Sequence, residues 1–386
     1  MVDEVIYNLA NLRSPITGIG RYAIEIVRGG VKQDRPITAF INGQLRTRDQ
    51  LLNSLTSLET RNSDTHSKIR QWMSHIPFAR QAYQVQQAQQ FALSARPLIN
   101  PKVHSHNLTY AATTGLRASV TTVLDLSHHL FAKTHPQHRI DFLKRFFKRL
   151  EQSNEPIITI SQSVKNELCT HYSIGEERVH VTPLAADTSF TPQSEADTAA
   201  VLKRYGLLHK SYCLSVGTLE PRKNLSTVLT TFSQLPEEQR RLCPLVLVGP
   251  QGWKNKSIEQ QITILEQKGF VKRLGFVANH ELPALYSSAS VFLYPSLYEG
   301  FGLPLLEAMQ CGCTCITSNN GALAEVAGRG AIMIDPLNTE QLLNALQLAL
   351  NSSQQRSSYS RLALQQASRF NWHSTVQQTW QIYDSL

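Results

Sequence analysis

Two glutamates, Glu299 and Glu307, lie on either side of a glycine-rich turn in the stretch PSLYEGFGLPLLEAMQCG. The run SVFLYPS that overlaps its start is typical of a strand, Pro304 suits the first turn of a helix, and the final glycine suits the end of that helix. We therefore expect Glu299 in a loop at the end of a strand and Glu307 in the first turns of the next helix. Carboxylates placed in this way could act as an acid and a base, or both could accept hydrogen bonds from one ligand.

The turn between the glutamates predicts an anion site. It runs through Gly300 and Phe301 to Gly302 and Leu303, where the helix begins. The first amides of a helix have no acceptor inside the helix, and the positive end of the helix dipole attracts a phosphate.

Two adjacent cations, Arg222 and Lys223, follow another predicted strand in the run SVGTLEPRKNLSTVLTTF. They could simply be the exposed start of a helix, but cations there oppose the helix dipole. Charge-assisted hydrogen bonds to a phosphate explain their position better. A diphosphate bound by these cations and by the helix at Gly302 would leave the glutamates to bind hydroxyl groups, which describes a sugar nucleotide.

Gly18 and Gly20 lie between a predicted strand and a predicted helix in SPITGIGRYAIEI. Backbone amides there could approach a phosphate, or the glycines could form a tight turn. The third glycine of a dinucleotide fingerprint is replaced by Ala23, which counts against a nicotinamide oxidoreductase.

Three cysteines, Cys311, Cys313 and Cys315, follow the second glutamate. We place Cys311 at the end of the helix and the other two on one face of the next strand, CTCITS, as small buried residues. Their spacing lacks the further ligands of a metal site, so no metal is expected.

Short apolar runs alternate with helical patterns along most of the chain, which is typical of α/β domains with doubly wound parallel sheets. We predict strands at VIYNLA, ITAFIN, SVTTVLDL, PIITIS, RVHVTPL, SYCLSVGTL, PLVLVGP, VKRLGFV, SVFLYPS and CTCITSN. Predicted helices include 20–28, 164–172, 225–234 and 284–289. The pattern occurs twice, so we expect two Rossmann-like domains facing a cleft, joined by the polar stretch Asp187–Ala200.

The region from residue 44 to 95 interrupts this pattern with Gln, Ser and Arg. It contains SKIRQWMSHIPFARQAY, and a second basic and aromatic stretch, KTHPQHRIDFLKRFFKRL, follows later. Each predicts an amphipathic helix that either covers the core of the first domain or lies on a membrane surface.

The 386 residues include 38 Lys and Arg against 29 Asp and Glu, and residues 1–190 hold 22 of the cations against 15 of the acids. This excess either favours polyanionic partners or is ordinary solvated surface. No nucleic-acid motif accompanies it, so no nucleic-acid partner is expected. The chain shows neither a signal peptide nor a run of the roughly 20 apolar residues that a membrane-spanning helix needs. Its dispersed cysteines suit a reducing cytoplasm.

The runs VGTLEPRKNL, FVANHELPALYSSASVFLYPSLYEGFGLPLLEAMQCG and SNNGALAEVAG resemble the donor domain of glycosyltransferase family 4. The resemblance extends to TGIGRYAIEI, VLDLSHHLFAKTHP and ITISQSVKNEL, and within the family it is strongest for bacterial polysaccharide and O-antigen mannosyltransferases. It implies a GT-B fold: an acceptor-side domain over 1–190, a donor-binding domain over 191–370, and a final helix over 371–386 that returns to the first domain. It also implies a retaining enzyme that needs neither metal nor cofactor.

By the same resemblance, Glu299 contacts the donor sugar, Glu307 binds the ribose, and Arg222 and Lys223 bind the diphosphate. Gly18 and Gly20 match the loop over the phosphates, and the leaving phosphate takes the acceptor proton, so neither glutamate is a general base. Similar members have His-Asp where this chain has Leu124 and Asp125. Asp125 is therefore an acceptor-side candidate, whereas the nearby histidines are more often structural; these are His104, His106, His128 and His129.

The implied reaction transfers a hexose, mannose from GDP-mannose above all, to a lipid-linked oligosaccharide or polysaccharide acceptor in the synthesis of a cell-surface glycan. Such an enzyme is expected in the cytoplasm, with the anionic inner face of the membrane as a further partner. The alternatives are another GT-B enzyme, such as an epimerase or a phosphorylase, and a non-catalytic protein that binds sugar nucleotides.

Overall fold

The computed structural model describes residues 4–9, 12, 18–41, 43–60, 86, 89–91, 93–94, 102–105, 120–252 and 256–386. The chain forms two compact units. Unit 1 comprises Met1–His128, Pro136–Leu184 and Trp372–Leu386, and unit 2 comprises His129–His135 and Ala185–Asn371. The sequence placed the change of domain after residue 190, whereas the units change after Leu184.

The sheet of unit 1 has the order β3-β2-β1-β4-β5-β6-β7, and only the β2–β3 pair is antiparallel. Its strands are β1 Val5–Asn8, β2 Ile37–Ile41, β3 Gln44–Arg46, β4 Lys102–Ser105, β5 Val120–Val123, β6 Ile157–Thr159 and β7 Val179–Val181. Its described helices are α1 Gly18–Lys32, α2 Arg48–Thr60, α4 Gln137–Glu151, α5 Gln162–His171 and, at the end of the chain, α15 Trp372–Asp384; α3 Ser127–Leu130 begins in unit 1 and ends in the short segment assigned to unit 2.

The sheet of unit 2 is entirely parallel, in the order β10-β9-β8-β11-β12-β13. Its strands are β8 Cys213–Val216, β9 Leu245–Val248, β10 Val271–Gly275, β11 Val291–Tyr294, β12 Cys315–Ser318 and β13 Ile332–Ile334. Its described helices are α6 Glu195–Tyr205, α7 Leu225–Ser233, α8 Glu237–Leu242, α9 Lys256–Gln267, α10 Leu282–Ser288, α11 Leu303–Gln310, α12 Gly321–Ala327, α13 Thr339–Asn351 and α14 Ser353–Ala367.

Both predicted sheets are confirmed, because all ten predicted strands are present within one to three residues of their predicted ends. The prediction missed β3, β4 and β13, which have three or four residues each. Two of them, QLR and KVHS, contain too many polar residues to form an apolar run, and their pairing with neighbouring strands defines them.

The predicted linker was wrong in its second half. A helix, α6, begins at Glu195 with a capping box, in which the Ser194 hydroxyl accepts from the Asp197 amide at 3.3 Å and the Asp197 carboxylate accepts from the Ser194 amide at 3.2 Å. The polar composition that indicated a linker is therefore the start signal of a helix.

The second basic stretch forms α4, which buries one face in the core of unit 1. The buried residues are Ile140, Leu143, Phe146, Phe147 and Leu150, and the last four belong to one cluster that also includes Val123 and Ile157. Its cations lie on the other side and are exposed; they are Arg139, Lys144, Arg145, Lys148 and Arg149. Burial of the apolar face is thus confirmed for α4, whereas the first basic stretch lies outside the described residues.

The last helix, α15, packs against α1 within unit 1. Trp380 and Tyr383 on α15 are fully buried, and the Tyr383 hydroxyl hydrogen-bonds the ring of His104 on β4. The other ring nitrogen of His104 lies 2.7 Å from the Thr122 hydroxyl. This contact attaches the end of the chain to the first sheet.

Candidate active site

The order of strands in unit 2 reverses direction between β8 and β11. In a doubly wound sheet the loops that follow the two strands at such a reversal separate, and ligands bind there. In this chain the loop after β8 carries Arg222 and Lys223, and the loop after β11 carries Glu299. Sequence-distant groups are therefore brought to one edge of the sheet by its topology.

The loop after β8 has a defined conformation. A short 3-10 turn, Pro221–Lys223, ends at Asn224, which adopts a left-handed conformation with φ of 57° before α7 begins. The Asn224 amide group donates to the carbonyls of Pro295 and Pro336, at 3.1 and 2.6 Å. The Leu297 amide donates to the Arg222 carbonyl at 2.9 Å, so the two loops hold each other.

Glu299 is the centre of a buried ion cluster. Its two carboxylate oxygens accept from Arg222 Nη1 at 2.9 Å and from Lys223 Nζ at 2.5 Å. Arg222 also donates to Glu220 at 2.7 Å and to the Tyr298 carbonyl at 2.7 Å. The four charged side chains of this cluster are only 5 to 19% exposed. The two cations are therefore not the exposed start of a helix, and that alternative was wrong.

These partners determine the ionisation of Glu299. Burial by itself would raise the pKa of its carboxyl, but the charges and hydrogen bonds of Lys223 and Arg222 lower the pKa to about 2. The group is a carboxylate throughout the physiological range and is a poor proton acceptor. In this structure both cations contact Glu299.

Tyr294, the last residue of β11, joins the same cluster. Its hydroxyl donates to Glu299 Oε1 at 3.0 Å and accepts from Lys223 Nζ at 2.8 Å. Lys223 Nζ also lies 5.0 Å from the centre of the tyrosine ring. Burial and the neighbouring carboxylate of Glu299 hold the pKa of Tyr294 well above its usual value, so the phenol keeps its proton.

Glu307 lies in the second turn of α11 and has its own tyrosine. The Tyr286 hydroxyl on α10 donates to Glu307 Oε2 at 3.1 Å, and burial, followed by the charge of Glu307, raises the pKa of that phenol well above its usual value. The rings of Tyr286 and Tyr294 are linked by Phe292, at centroid distances of 5.3 and 5.6 Å. One column of aromatic rings therefore supports both predicted glutamates.

The turn from Gly300 to Leu303 leads directly into α11. Gly302 is its N-cap residue with φ of 106°, and a Cβ atom there would lie 2.6 Å from Leu323 Cδ2. The position requires glycine for both reasons. Phe301 is buried and packs edge-on against Phe370, with the ring centroids 5.7 Å apart. Its side chain therefore anchors the turn.

The predicted site residues of unit 1 differ from this arrangement. Gly18 and Gly20 lie inside the first turn of α1, where a loop before the helix was expected. Asp125 is half-buried, and its carboxylate accepts from the Ser127 amide at 2.8 Å at the start of α3.

The histidines near Asp125 have packing roles where they are buried. His128 stacks on Phe147 at 4.8 Å and lies 3.2 Å from the Tyr172 hydroxyl, and His104 belongs to the buried contact with Tyr383. His129 is exposed, and His106 lies outside the described residues.

The three cysteines near Glu307 are buried. Cys315 Sγ donates to the Cys313 carbonyl at 3.3 Å, and the strand begins only at Cys315, two residues later than predicted. In the described part of the chain, no three His, Cys, Asp or Glu side chains are grouped as metal ligands.

Sequence reasoning missed Glu220, Tyr286 and Tyr294 as parts of the site. Glu220 was visible beside the two cations, but its pairing with Arg222 depends on the 3-10 turn. In the sequence, the two tyrosines cannot be distinguished from ordinary core residues of a helix and a strand. Only the folded unit brings their hydroxyls to the glutamates.

Two family models match the chain: "Glycosyltransferase Family 4" over residues 16–190 and "Glycosyl transferases group 1" over residues 203–366. The chain is 29% identical to an O-antigen chain mannosyltransferase B of Escherichia coli over 99% of this chain and 100% of that protein. It is 31% identical to a serotype-specific mannosyltransferase WbdA of Escherichia coli over 58% of this chain and 28% of that protein.

Among solved structures, Anabaena Alr3699/HepE in complex with UDP-glucose resembles this chain with a TM-score of 0.76 and 17% identity, over 99% of this chain and 100% of that one. This likeness supports the fold. Together with the two family models and the cluster at the strand reversal of unit 2, it leads to one conclusion: the chain belongs to glycosyltransferase family 4 and is a glycosyltransferase of GT-B fold.

Proposed function

We propose that this protein transfers mannose from GDP-mannose, with retention of the anomeric configuration, to a lipid-linked or polysaccharide acceptor in the synthesis of a cell-surface glycan. The observation that carries the proposal is the buried cluster of Glu299, Arg222 and Lys223 at the strand reversal of unit 2. The similarity to the O-antigen chain mannosyltransferase over the full chain supports the choice of sugar and acceptor.

In this proposal Arg222 and Lys223 bind the diphosphate and stabilise the charge that develops on the leaving nucleotide, so no metal is needed. The amides at the start of α11, beside Gly300 and Phe301, bind the same group from the other side. Glu299 binds hydroxyls of the sugar, and Glu307, supported by Tyr286, binds the ribose.

The low pKa of Glu299 supports a mechanism without a carboxylate base. A general base should have a pKa near the working pH, whereas this carboxylate hardly takes up a proton above pH 4. The acceptor proton then passes to the departing phosphate oxygen as the new glycosidic bond forms on the same face of the sugar. Asp125 is proposed to serve the acceptor side, and Gly18 and Gly20 at the amino end of α1 to bind the phosphates of the donor.

A thermal-shift panel of GDP-mannose, UDP-glucose, ADP-glucose and a dTDP-sugar tests the donor. A ligand at 100 times its Kd stabilises the folded state by about 2.7 kcal/mol, and we expect this with GDP-mannose alone. EDTA should change neither the shift nor transfer to a lipid-linked oligosaccharide. A shift with another sugar nucleotide and none with guanine nucleotides would contradict the donor.

A non-catalytic binding protein is the second candidate, because Leu124 stands where similar members have a histidine. Such a protein would give the thermal shift with GDP-mannose but would neither hydrolyse it slowly nor transfer its sugar. Prolonged incubation with GDP-mannose alone, followed by measurement of released GDP, separates the two candidates.

We further propose that the exposed cations of α4 bind an anionic membrane surface in the cytoplasm. The helix cannot insert into a bilayer, because its apolar face is already in the core of unit 1. Its outward cations can still attract anionic lipid headgroups, at about 1 kcal/mol for each Lys or Arg near the surface. No helix among the described residues has the length and apolarity required to cross a membrane.

Vesicles of neutral lipid with 30 mol% phosphatidylglycerol, a composition chosen for the assay, test this binding. The double variant Lys144→Glu and Lys148→Glu should lose it, whereas Lys203→Glu with Lys268→Glu makes the same charge change on exposed positions of unit 2 and should lose much less. Equal losses in both variants would show that only net charge matters.

A further inference from the structure

In the proposed function Arg222 and Lys223 bind a diphosphate, and in this structure both already contact Glu299. Both cations direct a donor nitrogen at Glu299, and Glu220 takes a second donor of Arg222. Two cations and two carboxylates make the cluster electrically neutral when no donor is bound. Since a diphosphate carries at least two negative charges, it competes with Glu299 for the same guanidinium and ammonium groups.

The loss of both cations would leave Glu299 with little support. Its side chain is 10% exposed, so water cannot replace the lost partners fully. A buried carboxylate without partners is strongly disfavoured, and it would either take up a proton or move. Neither result suits a group that must bind sugar hydroxyls in one position.

Tyr294 is the partner of Glu299 that a diphosphate does not attract. Its hydroxyl is neutral, because the phenol retains its proton, and it already donates to Glu299 Oε1 at 3.0 Å. The Lys223 ammonium donates to the same hydroxyl at 2.8 Å and to Glu299 Oε1 at 2.5 Å, so the three groups are in mutual contact.

The tyrosine is also held rigidly. It is the last residue of β11, its ring stacks on Phe292 at 5.6 Å with an interplanar angle of 17°, and only 3% of its surface is exposed. Its carbonyl accepts from the Thr317 hydroxyl on β12 at 3.0 Å. A residue fixed in the sheet in this way cannot follow Lys223 when the ammonium group moves.

We infer that Tyr294 is a positioning residue for the donor sugar: it holds Glu299 in place while Arg222 and Lys223 change partner from Glu299 to the diphosphate. The inference rests on the proposed function, because it assigns the sugar to Glu299 and the diphosphate to the cations. The inference adds two features to the proposed function. The ion pairs exchange when the donor binds, and the fixed Tyr294 hydroxyl keeps Glu299 in position during that exchange.

The test compares the affinities of GDP and GDP-mannose by calorimetry in Tyr294→Phe and in Tyr212→Phe. Tyr212 is a matched control: it is fully buried in the same unit, and its hydroxyl donates to the Leu285 carbonyl at 2.6 Å, away from the cluster. Loss of one hydrogen bond to a charged group should weaken GDP-mannose binding by about 10- to 100-fold in Tyr294→Phe. GDP binding should change less than about threefold, and Tyr212→Phe should change neither affinity.

A role through Glu299 requires that the two changes are not additive. In a Glu299→Ala background, Tyr294→Phe should have no further effect on GDP-mannose affinity. If Tyr294→Phe weakens GDP and GDP-mannose equally, or weakens GDP-mannose in the Glu299→Ala background as well, the inference is wrong.

A second variant tests the exchange without changing the tyrosine, in case Tyr294→Phe does not fold. Glu299→Gln removes the competing charge, so it should bind GDP more tightly than the wild type does; equal or weaker binding contradicts the exchange. Wild-type protein that binds neither guanine nucleotide contradicts the proposed donor instead, and the same comparisons then use the nucleotide and nucleotide sugar that the donor panel selects.

Discussion

The two units use the same kind of strand reversal for different purposes. In unit 1 the reversal lies between β1 and β4, and aromatic side chains are buried there: Tyr7, Tyr22, His104 and Tyr383, with the Thr122 hydroxyl between two of them. In unit 2 the reversal lies between β8 and β11 and carries four charged side chains around Tyr294. The hydrogen bonds among the buried aromatic side chains of unit 1 stabilise the fold, whereas a buried charged cluster can exchange its partners for a charged ligand.

The largest effect should come from breaking the charged cluster. Glu299→Ala leaves Arg222 and Lys223 without their shared carboxylate and removes the proposed sugar contact, so we expect transfer to fall by about 10³-fold or more. Steady-state transfer of mannose measures it, and GDP binding by the folded variant is the control. Near-wild-type kcat/KM would show that the cluster has no catalytic role.

The charged cluster should also make unit 2 sensitive to acid. The pKa of Glu299 in the folded protein is about 2, below its ordinary value of 4.5, so its stabilising contribution is complete above pH 4.5 and is lost as the pH falls through 2. A shift of this size corresponds to about 3 kcal/mol. Urea unfolding of wild type and Glu299→Gln should therefore differ most at pH 7, and the difference should shrink between pH 4.5 and 2; a constant difference would contradict the assignment.

Glu307 should separate binding from turnover. Its proposed ribose contact is made equally before and during the reaction, so Glu307→Ala should raise the KM for the donor about 10- to 30-fold and change kcat only a few-fold. Donor titrations at saturating acceptor measure both values. A loss confined to kcat would place Glu307 at the reacting sugar instead.

The smallest effect should come from the buried hydrogen-bond network of unit 1 around His104. Tyr383→Phe removes a buried hydroxyl beside His104, at a cost of about 1–2 kcal/mol, or a fall in Tm of roughly 2–4 °C. Donor affinity and kcat at 25 °C should stay within twofold, because no charged ligand depends on this network. A large loss of activity in the folded variant would mean that the end of the chain does more than stabilise unit 1.

Some features of the fold were predictable because they depend on local sequence. Ten strands were found from apolar runs alone, and Pro304 and Gly312 marked the first turn and the end of α11 as expected. The failures were also local in origin. The polar composition of 187–200 concealed a capping box, and the polar runs QLR and KVHS gave no apolar signal for β3 and β4.

The sequence by itself determined the α/β class, the two parallel sheets and the candidate residues Glu299, Glu307, Arg222 and Lys223, because periodicity, turn residues and charge pattern act over a few positions. Only the tertiary structure decided what those residues do to each other. Strand order brings a loop at residue 222 and a loop at residue 299 to one edge, and burial there turns four separate charges and one tyrosine into a single coupled cluster. Coulomb and hydrogen-bond energies depend on distance and on exclusion of water, and neither quantity exists before the chain has folded.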